Sequence, residues 1–300
     1  MISVLLCTYN QEKYISKTLD SIISQKCNLP FKIYINDDRS CDSTWCVISH
    51  YKEKYPEIID AKLNKQNLGI PLNFYDVLFR SKGDYVCLCG GDDLWIDVNK
   101  LQEQIDILEN HKDIGLVFSD YYICDENDKF LNKIETNVIS YAELLRNNNI
   151  CASTICLRRC HYYSFISDVN PMSKQWKMED YPLLLWMSLH FKLYHLNKIT
   201  TVYRLLHSSV THSNDIVKRL QFEDTLYSIK TYFNERKPVI CDEELIRIRE
   251  YNKAHLCLVY DCYKEYRIVV NDLSLTHIKA LVYRLIGINR FIFKYATKFC

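Results

Sequence analysis

Residues 83–95 of the chain read Gly83-Asp84-Tyr85-Val86-Cys87-Leu88-Cys89-Gly90-Gly91-Asp92-Asp93-Leu94-Trp95. The apolar run predicts a buried strand, and the glycines and aspartates after it predict a bend that presents carboxylates. Two earlier stretches repeat this pattern, because Ser3–Cys7 precedes Thr8-Tyr9-Asn10 and Phe31–Asn36 precedes Asp37-Asp38. Since the carboxyl ends of parallel strands meet at one edge of a sheet, we expect these polar residues to lie together, where such sheets bind ligands.

Helical patterns separate the predicted strands. Apolar residues recur at helical spacing after Asn10, Asp42, Pro71 and Asn99, and we expect Asn10 and Asn99 to cap their helices. A further strand is predicted at Leu116–Ser119. This alternation predicts an α/β fold with a mostly parallel central sheet and helices on both faces. After about residue 215 the pattern becomes helical, which predicts a helical C-terminal extension.

Composition narrows the class of protein. The 300 residues carry a formal net charge of +1 and are 48% hydrophobic and 25% charged, which is a globular composition. The balanced charge argues against nucleic acid as a partner. The 14 Cys show neither zinc-knuckle nor disulfide-framework spacing, so we expect reduced thiols in a cytoplasmic protein. Because no signal-peptide pattern or membrane-length apolar run is found, we expect no membrane span.

The paired carboxylates have the clearest chemical use. The chain has only 6 Gly and neither a Gly-x-Gly-x-x-Gly fingerprint nor a P-loop, which argues against a glycine cradle for phosphate. Asp92 and Asp93 instead suit Mg²⁺ or Mn²⁺, which prefer hard oxygen ligands and bind ligand phosphates. Asp38 suits a base N–H or a ribose hydroxyl, and Tyr9 suits a base ring. The competing interpretation is that such residues only cap helices and fill turns.

An ordered series of motifs resembles glycosyltransferase family 2, whose members have the Rossmann-like GT-A fold. The series includes Ser3 to Asn10, Asn36-Asp37-Asp38-Arg39-Ser40, Asn67-Leu68-Gly69, Gly91-Asp92-Asp93-Leu94-Trp95, Glu179-Asp180-Tyr181-Pro182-Leu183 and Val202-Tyr203-Arg204. The resemblance covers residues 1–213. It implies that a sugar is transferred with inversion from a nucleotide-diphosphate sugar, with a UDP-sugar favoured, in the synthesis of capsule or lipopolysaccharide.

The resemblance also implies roles for individual residues on the donor side. The nucleotide-sugar would be held by Thr8, Tyr9, Asn10, Asp38, Asn67 and Asp92. Asp93 would bind the Mn²⁺ or Mg²⁺ cofactor, and His207 is a candidate for a second metal ligand. Two departures from the family pattern are Gly91, where an acidic residue is frequent, and Arg39, where glycine is common.

On the acceptor side, the resemblance implies that Asp180 is the general base. A base that takes the proton of the acceptor hydroxyl contributes about 10²–10⁴-fold to the rate. The neighbouring Glu179 would raise the pKa of Asp180, whereas the helix start would lower it. Trp95 is expected to stack on a sugar. The competing interpretations are an ordinary acidic helix N-terminus and a buried tryptophan.

We expect residues 1–213 to form the catalytic domain, with a nucleotide half at about 1–120 and an acceptor half at 121–213, and 214–300 to form the extension. The expected acceptor is a glycan or a lipid-linked glycan. A sugar nucleotidyltransferase is an alternative, although residues 7–13 lack the glycine-rich basic loop that usually opens that class. A second alternative is a non-catalytic nucleotide-sugar-binding protein of the same fold.

The last part of the extension is amphipathic and basic. Within 277–300, apolar residues recur at helical spacing beside five lysines and arginines, and no acidic residue follows Asp272. This pattern suits the surface of an anionic membrane, which would make the protein peripheral on the inner face of the cell membrane. It equally suits a helix that packs its apolar face on the protein.

Overall fold

The computed structural model describes residues 1–136, 140–206, 213, 215–272 and 278–299. Its strands are Ile2–Thr8 (β1), Phe31–Asp37 (β2), Ile59–Leu63 (β3), Tyr85–Gly90 (β4), Leu94–Trp95 (β5), Ile114–Cys124 (β6), Phe130–Ile134 (β7), Cys156–Arg158 (β8) and Lys192–Arg204 (β9). Its α-helices are Ile15–Ile23 (α1), Thr44–Lys54 (α2), Ile70–Arg80 (α3), Lys100–Asn110 (α4), Tyr141–Arg146 (α5), Arg159–Val169 (α6), Asp180–His190 (α7), Ile216–Arg236 (α8), Asp242–Val259 (α9), Tyr263–Asp272 (α10), Ile278–Ile288 (α11) and Arg290–Ala296 (α12).

One sheet arranges the strands in the order β3-β2-β1-β4-β8-β6-β9-β5, and β7 pairs with β6. Strands β1 to β4 are parallel, as are β6 and β9, whereas β8 is antiparallel to both of its neighbours. The register pairs Thr8 with Asp37 and Cys7 with Gly90, so the polar ends of β1, β2 and β4 emerge at one edge. The predicted α/β fold, with a mostly parallel sheet between helices, is confirmed.

The core of the sheet explains why the strand sequences are so apolar. Strands β1 and β4 are buried along almost their whole length, because helices cover the sheet on both sides. Amphipathic helices α1 and α4 turn their apolar faces to this core, which they reach with Ile15, Leu19, Ile22, Leu101, Ile105 and Leu108. The core fixes the strands whose ends carry the polar residues.

Two details differ from the sequence predictions. Asn10 does not cap α1, which begins at Ile15 with Tyr14 before it. Instead Asn10 adopts a left-handed conformation with φ 53°, and its side-chain oxygen accepts the backbone N–H of Cys41 at 2.8 Å. Asn99 does precede α4, but its side chain makes no capping hydrogen bond.

The chain divides into two compact units, Met1–Leu205 and Leu206–Cys300, a division that falls before the predicted boundary at 213/214. The second unit is helical, as predicted. Its core forms around Tyr266, which packs with Ala254, Val270, Ala280 and Phe293 from four helices. None of the helices in the described ranges is long and apolar enough to cross a bilayer.

Candidate functional site

Asp93 is fixed by contacts from two distant segments. It follows β4 and is only 3% exposed. The Ser153 hydroxyl donates a hydrogen bond to Asp93 Oδ2, and the backbone N–H of Arg204 donates to Oδ1 at 3.0 Å. Burial raises the pKa of Asp93 to about 6, and these hydrogen bonds limit the rise. The carboxyl group is therefore held in one orientation and is mostly ionised at neutral pH.

Asp92 is the less enclosed member of the pair and is half-buried. Burial, followed by the charge of Asp93, raises the pKa of Asp92 to about 8, and a side-chain hydrogen bond with Gln11 opposes the rise. The amide oxygen of Gln11 is itself buried without a hydrogen-bond partner. A cation placed here would favour ionised Asp92 and would satisfy this oxygen.

Packing explains the two glycines before Asp92. A Cβ on Gly91 would lie 2.6 Å from Thr8 Cγ2 and would overlap the Gln11 side-chain oxygen. A Cβ on Gly90 would lie 3.0 Å from a carboxylate oxygen of Asp92 and of Asp93. The space beside β1 therefore leaves little room for a side chain at position 91.

Arg204 ties the end of β9 to the acidic pair. Its side chain is 2% exposed, and Nε donates a hydrogen bond to the backbone oxygen of Asp92 at 3.0 Å. The two other guanidinium nitrogens donate to the backbone oxygen of Asp125 at 2.9 Å and to the carboxylate of Asp128 at 2.5 Å. The Tyr14 ring centre lies 4.5 Å from the guanidinium carbon. Arg204 therefore positions the loop that carries Asp92 and Asp93.

Asp38 shapes the loop before α3. Its carboxylate accepts the backbone N–H groups of Leu68 at 2.8 Å and Gly69 at 2.9 Å, and the side-chain amide of Asn64 at 2.9 Å. Gly69 has φ 78°, a conformation that glycine adopts readily. Both carboxylate oxygens of Asp38 thus accept hydrogen bonds from protein groups. The predicted contact of Asp38 with the nucleotide stays a prediction.

The other predicted nucleotide-side residues lie beside this edge. The buried Thr8 hydroxyl donates to Asp37 at 3.2 Å, which joins the ends of β1 and β2. Tyr9 is 47% exposed, so its ring is accessible to a ligand. The side-chain oxygens of Asn10 and Asn67 accept loop N–H groups at 2.8 and 3.1 Å.

A second acidic pair lies at the start of α7, where Glu179 and Asp180 are both half-buried. Asp180 Oδ1 accepts the backbone N–H of Tyr181 at 2.8 Å. Burial, followed by the charge of Asp180, raises the pKa of Glu179 to about 8, and burial also raises the pKa of Asp180. The pKa of the Cys151 thiol is raised by burial and further by the charges of Asp93 and Asp180.

Trp95 supports the site from inside the protein. It is 3% exposed, and its indole N–H donates to the backbone oxygen of Ser153 at 3.0 Å. The fully buried Lys100 places Nζ 4.2 Å from the ring centre and donates to Gln104 at 2.8 Å. Trp95 therefore steadies the segment that holds Asp93, while its predicted contact with an acceptor sugar stays a prediction.

The structure describes only one of the two predicted metal ligands, Asp93. His207 lies outside the described residues. Across the described ranges, no group of three or more His, Cys, Asp and Glu side chains could hold a metal ion. The donors that are present, Asp92, Asp93 and the unpartnered amide oxygen of Gln11, are hard oxygens and fit Mg²⁺ or Mn²⁺.

Sequence reasoning assigned no role to Gln11, Ser153 or Arg204. Gln11 follows the polar end of the first strand, and this position was a usable signal. Arg204 belongs to a quoted motif, but its contacts with Asp92 and Asp93 span more than one hundred residues. Ser153 carried no signal, because only the tertiary fold brings it to Asp93.

A largely parallel sheet with an acidic pair at its polar edge, and a second acidic pair at the start of α7, fits the class of the GT-A glycosyltransferases. The family model described as Glycosyl transferase family 2 matches residues 3–167, which is more than half of the chain. The chain belongs to glycosyltransferase family 2.

Individual relatives and solved structures are similar to this chain. An uncharacterized protein of Mycobacterium tuberculosis is 32% identical over 179 residues, which cover 58% of this chain and 51% of the relative, so the chain matches about half of its length. UDP-Glc:alpha-D-GlcNAc-diphosphoundecaprenol beta-1,3-glucosyltransferase WfaP of Escherichia coli is 29% identical over 245 residues, covering 80% of this chain and 90% of WfaP. The mannosyltransferase PcManGT of Pyrobaculum calidifontis, solved with GDP-Man and Mn²⁺, shares the fold with a TM-score of 0.60 at 12% identity, covering 99% of this chain and 86% of PcManGT.

Proposed function

We propose that the protein transfers a sugar from a nucleotide-diphosphate sugar to an acceptor hydroxyl, with inversion at the anomeric carbon. The observation that carries this proposal is the Asp92–Asp93 pair after β4, where Ser153 and the Arg204 backbone hold Asp93, together with a second acidic pair, Glu179–Asp180, at the start of α7. The first pair would serve the leaving diphosphate. The second pair would serve the attacking hydroxyl.

Transfer is a single in-line displacement in this proposal. The acceptor oxygen bonds to the anomeric carbon while the bond from that carbon to the diphosphate oxygen breaks, and the electron pair leaves with the nucleoside diphosphate. Asp180 takes the proton of the acceptor hydroxyl. Burial raises the pKa of Asp180, which makes it a stronger base, and its neighbour Glu179, with a pKa of about 8, is mostly protonated at neutral pH.

The donor would lie across the ends of β1, β2 and β4. The exposed ring of Tyr9 would cover the base, and Asp92 would contact the ribose. Asp93, together with Asp92, would hold Mn²⁺ or Mg²⁺, which when bound neutralises charge on the leaving diphosphate. A UDP-sugar is the favoured donor, in keeping with the donor in the name of WfaP.

The proposed setting is the synthesis of cell-surface polysaccharide. The name of WfaP specifies an acceptor sugar carried on diphosphoundecaprenol. A lipid-linked glycan of this kind is the acceptor class that we infer for this chain. Such an acceptor is held in a membrane, so we propose that the protein works as a peripheral protein on the cytoplasmic face.

The substitution Asp180→Asn tests the assignment of the base. It keeps the shape of the side chain but removes the group that takes the proton. We expect sugar transfer to fall by about 10²–10⁴-fold, as for the loss of a general base, while nucleotide-sugar binding stays within about twofold. The measurements are turnover with a lipid-linked glycan acceptor and donor affinity by calorimetry.

A matched control is Asp106→Asn, which removes the charge of an exposed aspartate on α4. Its turnover should equal that of the unmodified protein. Full turnover in the Asp180→Asn protein would show that Asp180 is not the base. Donor affinity lost together with turnover would instead place Asp180 on the donor side.

A further inference from the structure

Helix α11 carries apolar residues on a buried side and on an exposed side. On the inner face Ala280 and Gly287 are buried in the second unit. A Cβ at Gly287 would lie 3.0 Å from Val270 and 3.4 Å from Tyr266, so this face packs closely on α10. The sequence left two roles open for this segment, packing on the protein and binding to a membrane. Packing on the protein uses only the inner face.

The outer side of α11 carries exposed apolar residues. The side chains at positions 281, 282, 285 and 288 point away from the side that buries Ala280 and Gly287, and one further exposed apolar residue follows on α12. We call this set the apolar stripe; its members are Leu281 (48% exposed), Val282 (49%), Leu285 (58%), Ile288 (73%) and Ile292 (48%). Contiguous apolar side chains on a surface mark a contact site rather than ordinary solvent exposure.

Positive charge continues directly from the apolar stripe. Arg290, Lys294 and Lys298 are exposed, and none of the three forms an ion pair with a described residue. No acidic residue follows Asp272 in the sequence. The end of the chain therefore offers a binding partner apolar surface and uncompensated cations.

We propose that the apolar stripe and these three cations bind the surface of an anionic lipid bilayer, with α11 lying in the plane of the interface. A bilayer supplies negative headgroups to the cations and an acyl boundary to Leu285 and Ile288. A second copy of the chain would bring two uniformly positive segments together. Nucleic acid would neutralise the charge but leave the apolar stripe in water. The surface deepens the peripheral location included in the proposed function, but binding requires no transfer chemistry.

Vesicle co-sedimentation of the full chain tests the proposal. We expect binding to vesicles of equimolar phosphatidylglycerol and phosphatidylcholine, and release by added NaCl, because the attraction is partly electrostatic. The double substitution Leu285→Glu/Ile288→Glu should weaken binding by more than about tenfold, since burial of two large apolar side chains is lost. Replacement of Arg290, Lys294 and Lys298 by Gln should weaken it by about fivefold for each charge removed.

The matched control is Ile246→Glu/Val259→Glu, which adds the same two charges at exposed positions (41% and 50%) on α9 and should bind as the unmodified chain does. The proposal is overturned by equal binding of the double variant, by binding that is independent of headgroup charge and salt, or by no binding. A dimer that forms in solution and is lost in the double variant would also overturn it. Hydrolysis of the donor without vesicles, measured on the same variants, tests the transfer site separately from membrane binding. Release of the unmodified chain by salt tests the proposal even if a variant does not fold.

Discussion

Single residues decide how the carboxylates at the sheet edge behave. Burial alone favours the protonated form of Asp93. The Ser153 hydroxyl and the Arg204 backbone N–H donate hydrogen bonds to its carboxylate and stabilise the ionised form. The sequence predicted Asp92 and Asp93 as site residues because an apolar strand leads directly into them, and their role in ligand binding stays a prediction. It did not identify Ser153, because a serine sixty positions away has no local pattern that marks a carboxylate partner.

Gly91 gives the first prediction at this scale. In Gly91→Ala the new Cβ would meet Thr8 Cγ2 at 2.6 Å and overlap the Gln11 side chain, so the loop must shift. Overpacking of this kind costs about 1–3 kcal/mol. We expect a lower melting temperature and weaker donor binding, both measured by thermal shift with and without UDP-glucose.

The double variant Gly91→Ala/Gln11→Ala is the control for this clash. It removes one of the two groups in the way, and we expect it to regain part of the lost stability. An unchanged melting temperature in Gly91→Ala would contradict the close packing against β1.

At the scale of elements, the long apolar strands were predictable and their long-range connections were not. The predicted strands Ser3–Cys7 and Phe31–Asn36 lie within β1 and β2, and the apolar run before Asp92 forms β4 as predicted. Strand β3 was not predicted, because Ile59–Leu63 is short and alternates apolar and charged residues at an edge of the sheet. Asn10 has the residue type of a cap, but its hydrogen bond to Cys41 places it in a turn instead.

Arg204 joins the end of β9 to the loop after β4 and to the turn before β7, so its substitution tests how these elements are held together. In Arg204→Met three hydrogen bonds from a buried guanidinium are lost, and breaking a buried ion pair costs about 3–5 kcal/mol. The partner Asp128 is 46% exposed at its side chain, so we expect the low end of this range in urea unfolding.

Asp128→Asn is the control, since it weakens only one of the three Arg204 contacts, along with the exposed ion pair between Lys17 and Asp128. Its free energy of unfolding should change by about 1 kcal/mol or less, because the carboxylate is half-exposed. Equal loss of stability in both variants would show that the ion pair, rather than the whole guanidinium network, holds the loop.

At the scale of the whole molecule, the acidic groups near the sheet edge make stability depend on pH. The native pKa values of Asp92, Asp93 and Glu179 are about 8, 6 and 8, above the ordinary values near 4 of unfolded carboxyl groups. At a pH between the unfolded and the native pKa of such a group, the native state binds more protons than the unfolded state. The stability that these protonated groups contribute is therefore lost as the pH rises through their native pKa values.

We therefore expect the metal-free protein to melt at a lower temperature at pH 8 than at pH 5.5. The variants Asp92→Asn and Glu179→Gln stay uncharged at every pH, so each should reduce this difference. Calorimetric scans across the pH range provide the measurement. A pH dependence that is identical in the variants would show that these carboxyl groups are not its source.

We propose that Asp92 and Asp93 form a cation-dependent site for a nucleoside diphosphate. The most direct measurement is titration calorimetry of UDP in the presence of Mn²⁺, in EDTA, and with Asp93→Asn. We predict that UDP binds with Mn²⁺ and that EDTA and Asp93→Asn each weaken the affinity by more than about tenfold, because a charged ligand of the cation is lost. UDP affinity that is unchanged by Asp93→Asn and by EDTA, or no UDP binding at all, would contradict the account.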